Sequence, residues 1–288
     1  MPNTTPPRLP ADLIPTVQRA LAEDVGGGDV TARLVPAAQH ASASVIAREA
    51  AVICGQAWFE QVFAQLDTAI AIRWEVGEGE RVEPERRLCV VQGPARPILT
   101  GERTALNFLQ ALSGTATATR RFVDAVAGTG TRIVDTRKTL PGLRTAQKYA
   151  VVCGGGFNHR IGLYDGILIK ENHIAAAGGI AKAIAAARGL NAGVPLMTEA
   201  ESLDEARTAL AADVDLLLVD DFPLDQIREA VRLTRAHRAA GGRTLLEYSG
   251  GASLDSVRPI AETGVDRIAV GAITKHLHAV DLSMRFAG

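Results

Sequence analysis

From Arg132 onward the sequence repeats one pattern, and that pattern limits the fold more than any other feature. Short β-rich runs at 132–135 (RIVD), 166–169 (GILI), 194–197 (VPLM), 215–219 (DLLLV), 243–246 (RTLL) and 266–270 (DRIAV) alternate with Ala-rich stretches. Those stretches, at 175–189, 202–212, 223–240 and 253–263, carry apolar residues at helical spacing. Repeated β-α alternation predicts a parallel sheet, either doubly wound or rolled into a barrel. The residues at the end of each run distinguish these two forms. The runs lead into Thr136-Arg137-Lys138, Lys170-Glu171-Asn172-His173, Glu199, Asp220-Asp221, Glu247-Tyr248-Ser249-Gly250-Gly251 and Gly271. A barrel gathers functional groups at the C-terminal ends of all its strands, whereas a doubly wound sheet concentrates them at one switch point. The pattern predicts a barrel of six or seven β-α units.

The first third of the chain has a different rhythm. A helix carrying Leu13, Ile14, Val17 and Leu21 breaks at Gly26-Gly27-Gly28-Asp29, and a second places Trp58, Phe59, Val62, Phe63 and Leu66 on one face. Ile70, Ile72, Trp74 and Val76 alternate with Ala71, Arg73 and Glu75, the signature of a sheet with one wet face, usually antiparallel. Another strand around 88–91 stops at Gly93-Pro94, and two helical stretches come next, from about 101 to 127. The chain therefore divides into a mixed α/β domain at 1–113 and a barrel at 114–274, with about 275–288 able to pack back on the first domain.

Composition narrows the function classes. With 31 Lys+Arg against 32 Asp+Glu and 22% charged residues, the chain has neither the excess of a nucleic-acid binder nor the profile of a disordered one. Cys54, Cys89 and Cys153 are far apart and form no CxxC pair, which argues against a disulfide framework or zinc site and for a reducing cytoplasm. The start, with Pro2, Pro6, Pro7 and Pro10, lacks the apolar stretch of a signal peptide, and no apolar run is long enough to span a bilayer.

The near-neutral total hides a segregated pattern. Between Arg132 and Lys170 seven Lys/Arg face only Asp135 and Asp165. Arg137, Lys138, His159, Arg160 and Lys170 come from loops and strand ends, so they can converge on an anion; arginine forks suit carboxylates and phosphates, and lysine is a mobile point charge. Gly154-Gly155-Gly156, inside this cationic stretch, reads as a loop that lets the backbone approach a ligand. It matches neither a dinucleotide fingerprint nor a P-loop. Ser249-Gly250-Gly251 and Val270-Gly271-Ala272 come after the last two runs and precede helical segments, where barrels bind phosphate through backbone N–H groups. Glu199 and Asp220 end adjacent runs and suit Mg²⁺, a hard ion that accompanies phosphate.

These residues resemble a known family, the quinolinate phosphoribosyltransferases, over almost the whole chain. The resemblance is carried by ALAEDVGGGDVT (20–31), GERTALNFLQ (101–110), the entire 135–173 segment, SGG (249–251), GVDRIAVGAITKH (264–276) and DLSMRF (281–286). It implies an N-terminal α/β sandwich domain followed by an incomplete, TIM-like α/β barrel. It implies transfer of a phosphoribosyl group from phosphoribosyl pyrophosphate to quinolinate with loss of CO₂, giving nicotinate mononucleotide and pyrophosphate in NAD biosynthesis. By resemblance Arg137, His159, Arg160 and Lys170, with Thr136 beside them, hold the quinolinate carboxylates. Lys138 and Lys170 meet the pyrophosphate, Glu199 and Asp220 hold Mg²⁺ and the ribose side, and the Ser249 and Gly271 loops take the 5′-phosphate. No organic cofactor is implied. Arg103 is expected to reach a neighbouring subunit's site, so the working unit is a homodimer or larger. The chain departs from the family pattern at Met197, where an acidic residue is usual, at Asp221 in place of Asn, at Ala269 in place of Ser, and at Lys275 in place of His.

Other readings remain on the residues alone. A related transferase could use a different aromatic acid, such as nicotinate. A barrel aldolase could use Lys170 as a Schiff-base nucleophile. A non-enzymatic anion sensor would bind phosphate or dicarboxylate without releasing pyrophosphate.

Overall fold

The computed structural model describes residues 7–287, so Pro2 and Pro6 of the proline-rich start lie outside the described residues. It divides into two compact units. The first comprises residues up to Arg120, Thr139–Gly155 and the tail from Ile273; the second comprises Arg121–Lys138 and Gly156–Ala272.

The first unit is built on a four-stranded antiparallel sheet. Its strands are β1 (His40–Ala47), β3 (Ala71–Trp74), β5 (Arg87–Pro94) and β12 (Leu282–Phe286), in the order β12-β1-β5-β3, while β2 (Ala51–Val52) and β4 (Arg81–Val82) form a separate pair. Val45 pairs with Met284 on one side and Cys89 on the other, so the tail is a full sheet member. Against this lie α1 (Leu13–Val25), α2 (Gln56–Leu66), α3 (Ala95–Ala125) and α4 (Arg144–Cys153). Leu13, Val17 and Leu21 of α1 and Trp58, Phe59, Val62 and Phe63 of α2 join Val45, Cys89 and Val91 in one continuous core. Trp58 meets Tyr149 of α4 edge-on at 5.1 Å between ring centroids.

This partition differs from the sequence division in two places. The two helical stretches expected from 101 to 127 are one 31-residue helix, α3, and the first unit's share of it runs to Arg120. The segment 139–155, assigned from sequence to the barrel, contributes Ala146, Tyr149 and Ala150 to the first unit's core. The triglycine reading changes with it. A Cβ on Gly154 would lie 2.5 Å from the Ala116 carbonyl oxygen and 2.7 Å from Thr119 Cβ, so glycine there permits tight packing on α3.

The second unit contains six parallel strands: β6 (Arg132–Val134), β7 (Ile167–Ile169), β8 (Leu196–Ala200), β9 (Leu216–Asp220), β10 (Leu245–Ser249) and β11 (Arg267–Ala269). Their order is β6-β11-β10-β9-β8-β7. Each strand from β7 to β10 pairs with its successor and β11 then pairs with β6, the order of a barrel wall left open between β6 and β7. Doubly wound sheets begin in the middle and grow outward. Connecting the strands are α5 (Glu171–Ala177), α6 (Ile180–Gly189), α7 (Leu203–Ala211), α8 (Leu224–Ala239) and α9 (Leu254–Glu262), while α10 (Ala272–Lys275) comes after β11. Met197, Leu216 and Leu218 cluster with Leu168 in a small apolar layer. Met197, at the position where an acid was expected, is thus packing, and a Cβ on Gly166 would come within 2.5 Å of its methyl carbon. No described helix is long and apolar enough to cross a membrane.

Candidate active site

Parallel register brings the C-terminal ends of the strands to one side. Val134 pairs with Ala269, Tyr248 with Ile268, Ser249 with Asp220, and Ala200 with Val219. Thr136, Arg137 and Lys138 therefore leave β6, Lys170 leaves β7, Glu199 and Asp220 close β8 and β9, and Ser249 closes β10 on the same side.

The cationic corner is fixed by backbone pairing. The Phe157 amide donates to the Ile133 carbonyl (2.9 Å), and the Asp135 amide donates to the Phe157 carbonyl (3.0 Å). The fully buried Asp135 carboxylate accepts the His159 amide at 2.8 Å. This lacing places His159 and Arg160 beside the end of β6. Both Asp165 carboxylate oxygens accept main-chain amides, from Ile161 (2.7 Å) and Gly162 (2.9 Å), closing the loop, and Arg160 Nη1 donates to the Gly166 carbonyl at 2.8 Å.

The electrostatics of this corner are poised for an anion. Burial first, and then repulsion from Arg137, hold the Arg160 guanidinium below its ordinary pKa. Arg137 Nε is buried with no hydrogen-bond partner. A buried guanidinium nitrogen left unpaired costs about 1–3 kcal/mol or more, which a carboxylate across the two arginines would recover.

Lys170 is paired with a carboxylate. Its Nζ donates to Glu199 Oε1 at 2.6 Å, and its main-chain amide donates to His173 Nδ1 at 3.1 Å at the start of α5. An imine-forming lysine needs a neutral amine, so a carboxylate at this distance disfavours the aldolase reading. Glu199 is buried, Asp220 is half-buried, and they lie on neighbouring strands. Two carboxylates at adjacent strand ends are the hard oxygen donors that Mg²⁺ selects.

The two glycine loops differ. The Asp221 amide donates to the Ser249 carbonyl at 2.8 Å, and Asp221 has φ +53°, a left-handed conformation that Asn and Asp tolerate best. This accounts for the Asp-for-Asn departure. A Cβ on Gly250 (φ +140°) would fall 2.6 Å from Asp221 Oδ1 and 2.7 Å from the Tyr248 hydroxyl. Gly251 leads on to α9, whose N-cap Ser253 accepts the Ser256 amide. The Val270-Gly271-Ala272 loop enters only the four-residue α10, too short to present much of a dipole. Gly271 instead matters for closeness, since a Cβ there would meet Lys138 Cδ at 2.9 Å.

Arg103 lies in the first unit, exposed on α3. The neighbouring threonines pin the 20–31 segment to that helix: Thr104 donates to Asp24 (3.0 Å) and Thr100 to Asp29 (2.9 Å). Also in the first unit, Cys54, Glu78 and Cys153 bring one ligand atom each within 4.8 Å of one another. Glu78 accepts the amides of Gly55 (2.7 Å) and Gln56 (3.1 Å) at the start of α2.

Two observations were not anticipated. The ring of His159, a residue expected at the quinolinate carboxylates, has neighbours within the protein: its Nδ1 accepts the Arg160 amide at 2.7 Å and its Nε2 lies 3.6 Å from Glu247 Oε1. Glu247, read from sequence as lying just beyond a strand, is in the middle of β10, fully buried and paired with Arg267. The available signal was an acid between aliphatic and aromatic neighbours, LLEYS.

Known proteins with the same organisation are recognisable across the whole chain. Residues 29–113 match the quinolinate phosphoribosyl transferase N-terminal domain and residues 115–285 its C-terminal domain. A nicotinate-nucleotide pyrophosphorylase [carboxylating] of Mycobacterium leprae is 43% identical over 93% of this chain and 95% of its own. A quinolinate phosphoribosyltransferase [decarboxylating] of Nicotiana glauca is 38% identical over 97% of this chain and 84% of its own. The solved nicotinate-nucleotide pyrophosphorylase of Francisella tularensis superposes with a TM-score of 0.92 at 45% identity, covering 99% of this chain and all of the other. With both domain models and relatives of this identity matched end to end, the chain belongs to the quinolinate phosphoribosyltransferase family.

Proposed function

We propose that the protein transfers the phosphoribosyl group of phosphoribosyl pyrophosphate to quinolinate, with decarboxylation, in NAD biosynthesis. The observation that carries the substrate choice is the buried, unpaired Arg137 nitrogen beside the desolvated Arg160. Two adjacent carboxylates match two clustered guanidinium groups better than the single carboxylate of nicotinate, which would leave a buried cation unpaired. Arg137 and Arg160 hold the acid and Thr136 lines the loop. Lys138 and Lys170 face the pyrophosphate. The Ser249-Gly250-Gly251 and Val270-Gly271-Ala272 loops take the 5′-phosphate.

The pyridine nitrogen has its own lone pair and needs no general base. It bonds to C1 of the ribose as the C1–O bond breaks, and the electron pair leaves on pyrophosphate, whose charge Lys138 and Lys170 stabilise. The 2-carboxylate then departs as CO₂, its bonding pair is left on ring carbon 2 beside the positive nitrogen, and a proton from water restores the C–H bond. Glu199 and Asp220 are the residues that would hold Mg²⁺, which supplies charge neutralisation of the pyrophosphate. Arg103 supports a homodimer with shared sites, and the free cysteines suit a cytoplasmic setting.

Purified protein given carboxyl-labelled quinolinate, phosphoribosyl pyrophosphate and Mg²⁺ should release CO₂ in step with nicotinate mononucleotide. Equal or faster turnover of nicotinate would overturn the quinolinate assignment. A trapped borohydride adduct at Lys170, or anion binding without pyrophosphate release, would favour the other readings. For the shared site, Arg103→Ala and Lys138→Ala proteins, each inactive, should regain activity when their subunits are exchanged.

A further inference from the structure

Glu247 is a buried carboxylate inside the barrel wall to which the proposed reaction gives no role. It is 0% exposed in the middle of β10. Arg267, on neighbouring β11, places Nε 2.9 Å from Oε2, and His159, in the loop after β6, places Nε2 3.6 Å from Oε1. Asp135, after β6, and Glu199, on β8, add negative charge to the same interior. A fully buried carboxyl group is costly to desolvate, and an apolar side chain would fill a strand interior without that cost. Its partners therefore carry the explanation.

The two nitrogens of His159 have different neighbours. Nδ1 accepts the Arg160 amide, so Nδ1 carries the lone pair and Nε2 carries the proton. That N–H faces Glu247 Oε1. At 3.6 Å the contact is a charge–dipole contact, longer than a hydrogen bond. It nevertheless favours the one tautomer in which Nδ1 is free to accept. The resulting chain runs from Glu247 on the barrel wall, through the His159 ring, to the peptide that carries Arg160. The Asp135 carboxylate holds the other side of the same residue through the His159 amide.

We infer that Glu247 is a positioning residue for the dicarboxylate pocket: it orients the His159 ring, and the ring fixes the main chain that aims the Arg160 guanidinium. This rests on the reading that Arg160 binds the aromatic acid.

The test uses the full-length protein with three substitutions: Glu247→Gln, which keeps an acceptor oxygen, Glu247→Leu, which removes it, and Glu247→Leu combined with Arg267→Met, which removes both members of the ion pair so that no buried charge is stranded. The readouts are KM for each substrate, kcat, and the ¹⁵N shifts of the His159 ring, assigned through His159→Asn. Wild type should show an unprotonated Nδ1 and a protonated Nε2. Glu247→Leu and the double variant should mix the tautomers. They should also raise KM for quinolinate about tenfold, the equivalent of one misaligned charged hydrogen bond, with KM for phosphoribosyl pyrophosphate within about threefold. Glu247→Gln should restore the ring signature and most of the quinolinate KM. Unchanged ring shifts in both leucine variants, or equal changes in both KM values with a matching loss of kcat, would overturn the proposal. If wild type does not turn over quinolinate, the functional reading fails while the ring shifts still report on Glu247 and His159.

Discussion

Glu247→Gln should stabilise the folded chain, and the gain should depend on pH. Burial drives the Glu247 carboxyl from 4.5 up to about 7, with Asp135 and Glu199 adding to the rise and Arg267 opposing it. Between those two values the folded chain holds a proton that the unfolded chain has lost. Stability is therefore greatest below about 4.5 and declines as pH rises to about 7, after which the deficit is constant. At about 1.4 kcal/mol per factor of ten, the rise from 4.5 to about 7 amounts to about 3 kcal/mol at pH 8. Glutamine resembles the protonated acid in size and charge. The variant should exceed wild type by about 3 kcal/mol at pH 8 and by about 1 kcal/mol near pH 5.5, with little difference near pH 4.5. Urea titrations at these pH values measure the differences, and scanning calorimetry should show a rise in Tm of about 5–10 °C at pH 8. A gain of the same size at every pH, or a loss at pH 8, would refute the reasoning, because the Arg267 ion pair would then outweigh desolvation.

Other consequences are direct. Arg137→Met should raise KM for quinolinate by about a hundredfold in steady-state kinetics while leaving thermal stability equal or higher, since it removes an unpaired buried nitrogen and a source of repulsion on Arg160. Gly250→Ala should lower stability by about 1–3 kcal/mol in urea titrations and raise KM for phosphoribosyl pyrophosphate, because φ is +140° and the new methyl would sit 2.6 Å from Asp221 Oδ1. Burial pushes the Cys54 thiol well above its ordinary range, so mass spectrometry after mild alkylation of the native protein should find Cys153 modified well before Cys54.

Much of the second unit is legible in the sequence because its strands are buried on both faces and read as aliphatic runs bounded by turns. All six runs correspond to strands, displaced by up to three residues at their ends. That displacement has a consequence at β10: ending the run at Leu246 puts Glu247 outside the strand, when it is the centre of β10. The first unit is harder to read. β1 turns Ala43, Val45 and Ala47 inward, and small residues give a faint alternation. β12 joins that sheet from the far end of the chain, Val45 pairing with Met284, and local periodicity does not report so distant a partner. At the site, strand ends identify which residues gather on one side. Side-chain direction is set by tertiary partners, which is why the turn of His159 toward Glu247 was not visible.

The cationic stretch shows how sequence proximity and spatial proximity part company. Its seven cations divide between two units: Arg144 and Lys148 lie on α4 in the first, with Lys148 only 1% exposed, and Arg132 begins β6, at the opposite end from the site, with its guanidinium 4.8 Å above the Phe157 ring. Arg137, Lys138, Arg160 and Lys170 remain at the strand ends. These four are not equivalent. Lys170 is matched by Glu199 at 2.6 Å, and Arg160 is restrained by a carbonyl, while Arg137 keeps a buried nitrogen unpaired. Pairing every cation would neutralise the pocket and abolish its attraction for an anion; pairing none would make the folded state too costly. On the proposed function Asp135 and Glu247 resolve this, because each carboxylate acts on His159, through its amide or toward its ring, and the guanidinium groups of Arg137 and Arg160 remain for the substrate. On that proposal, discrimination between one carboxylate and two would arise from the arginines, since a ligand that satisfies only one of them leaves the other desolvated and unpaired.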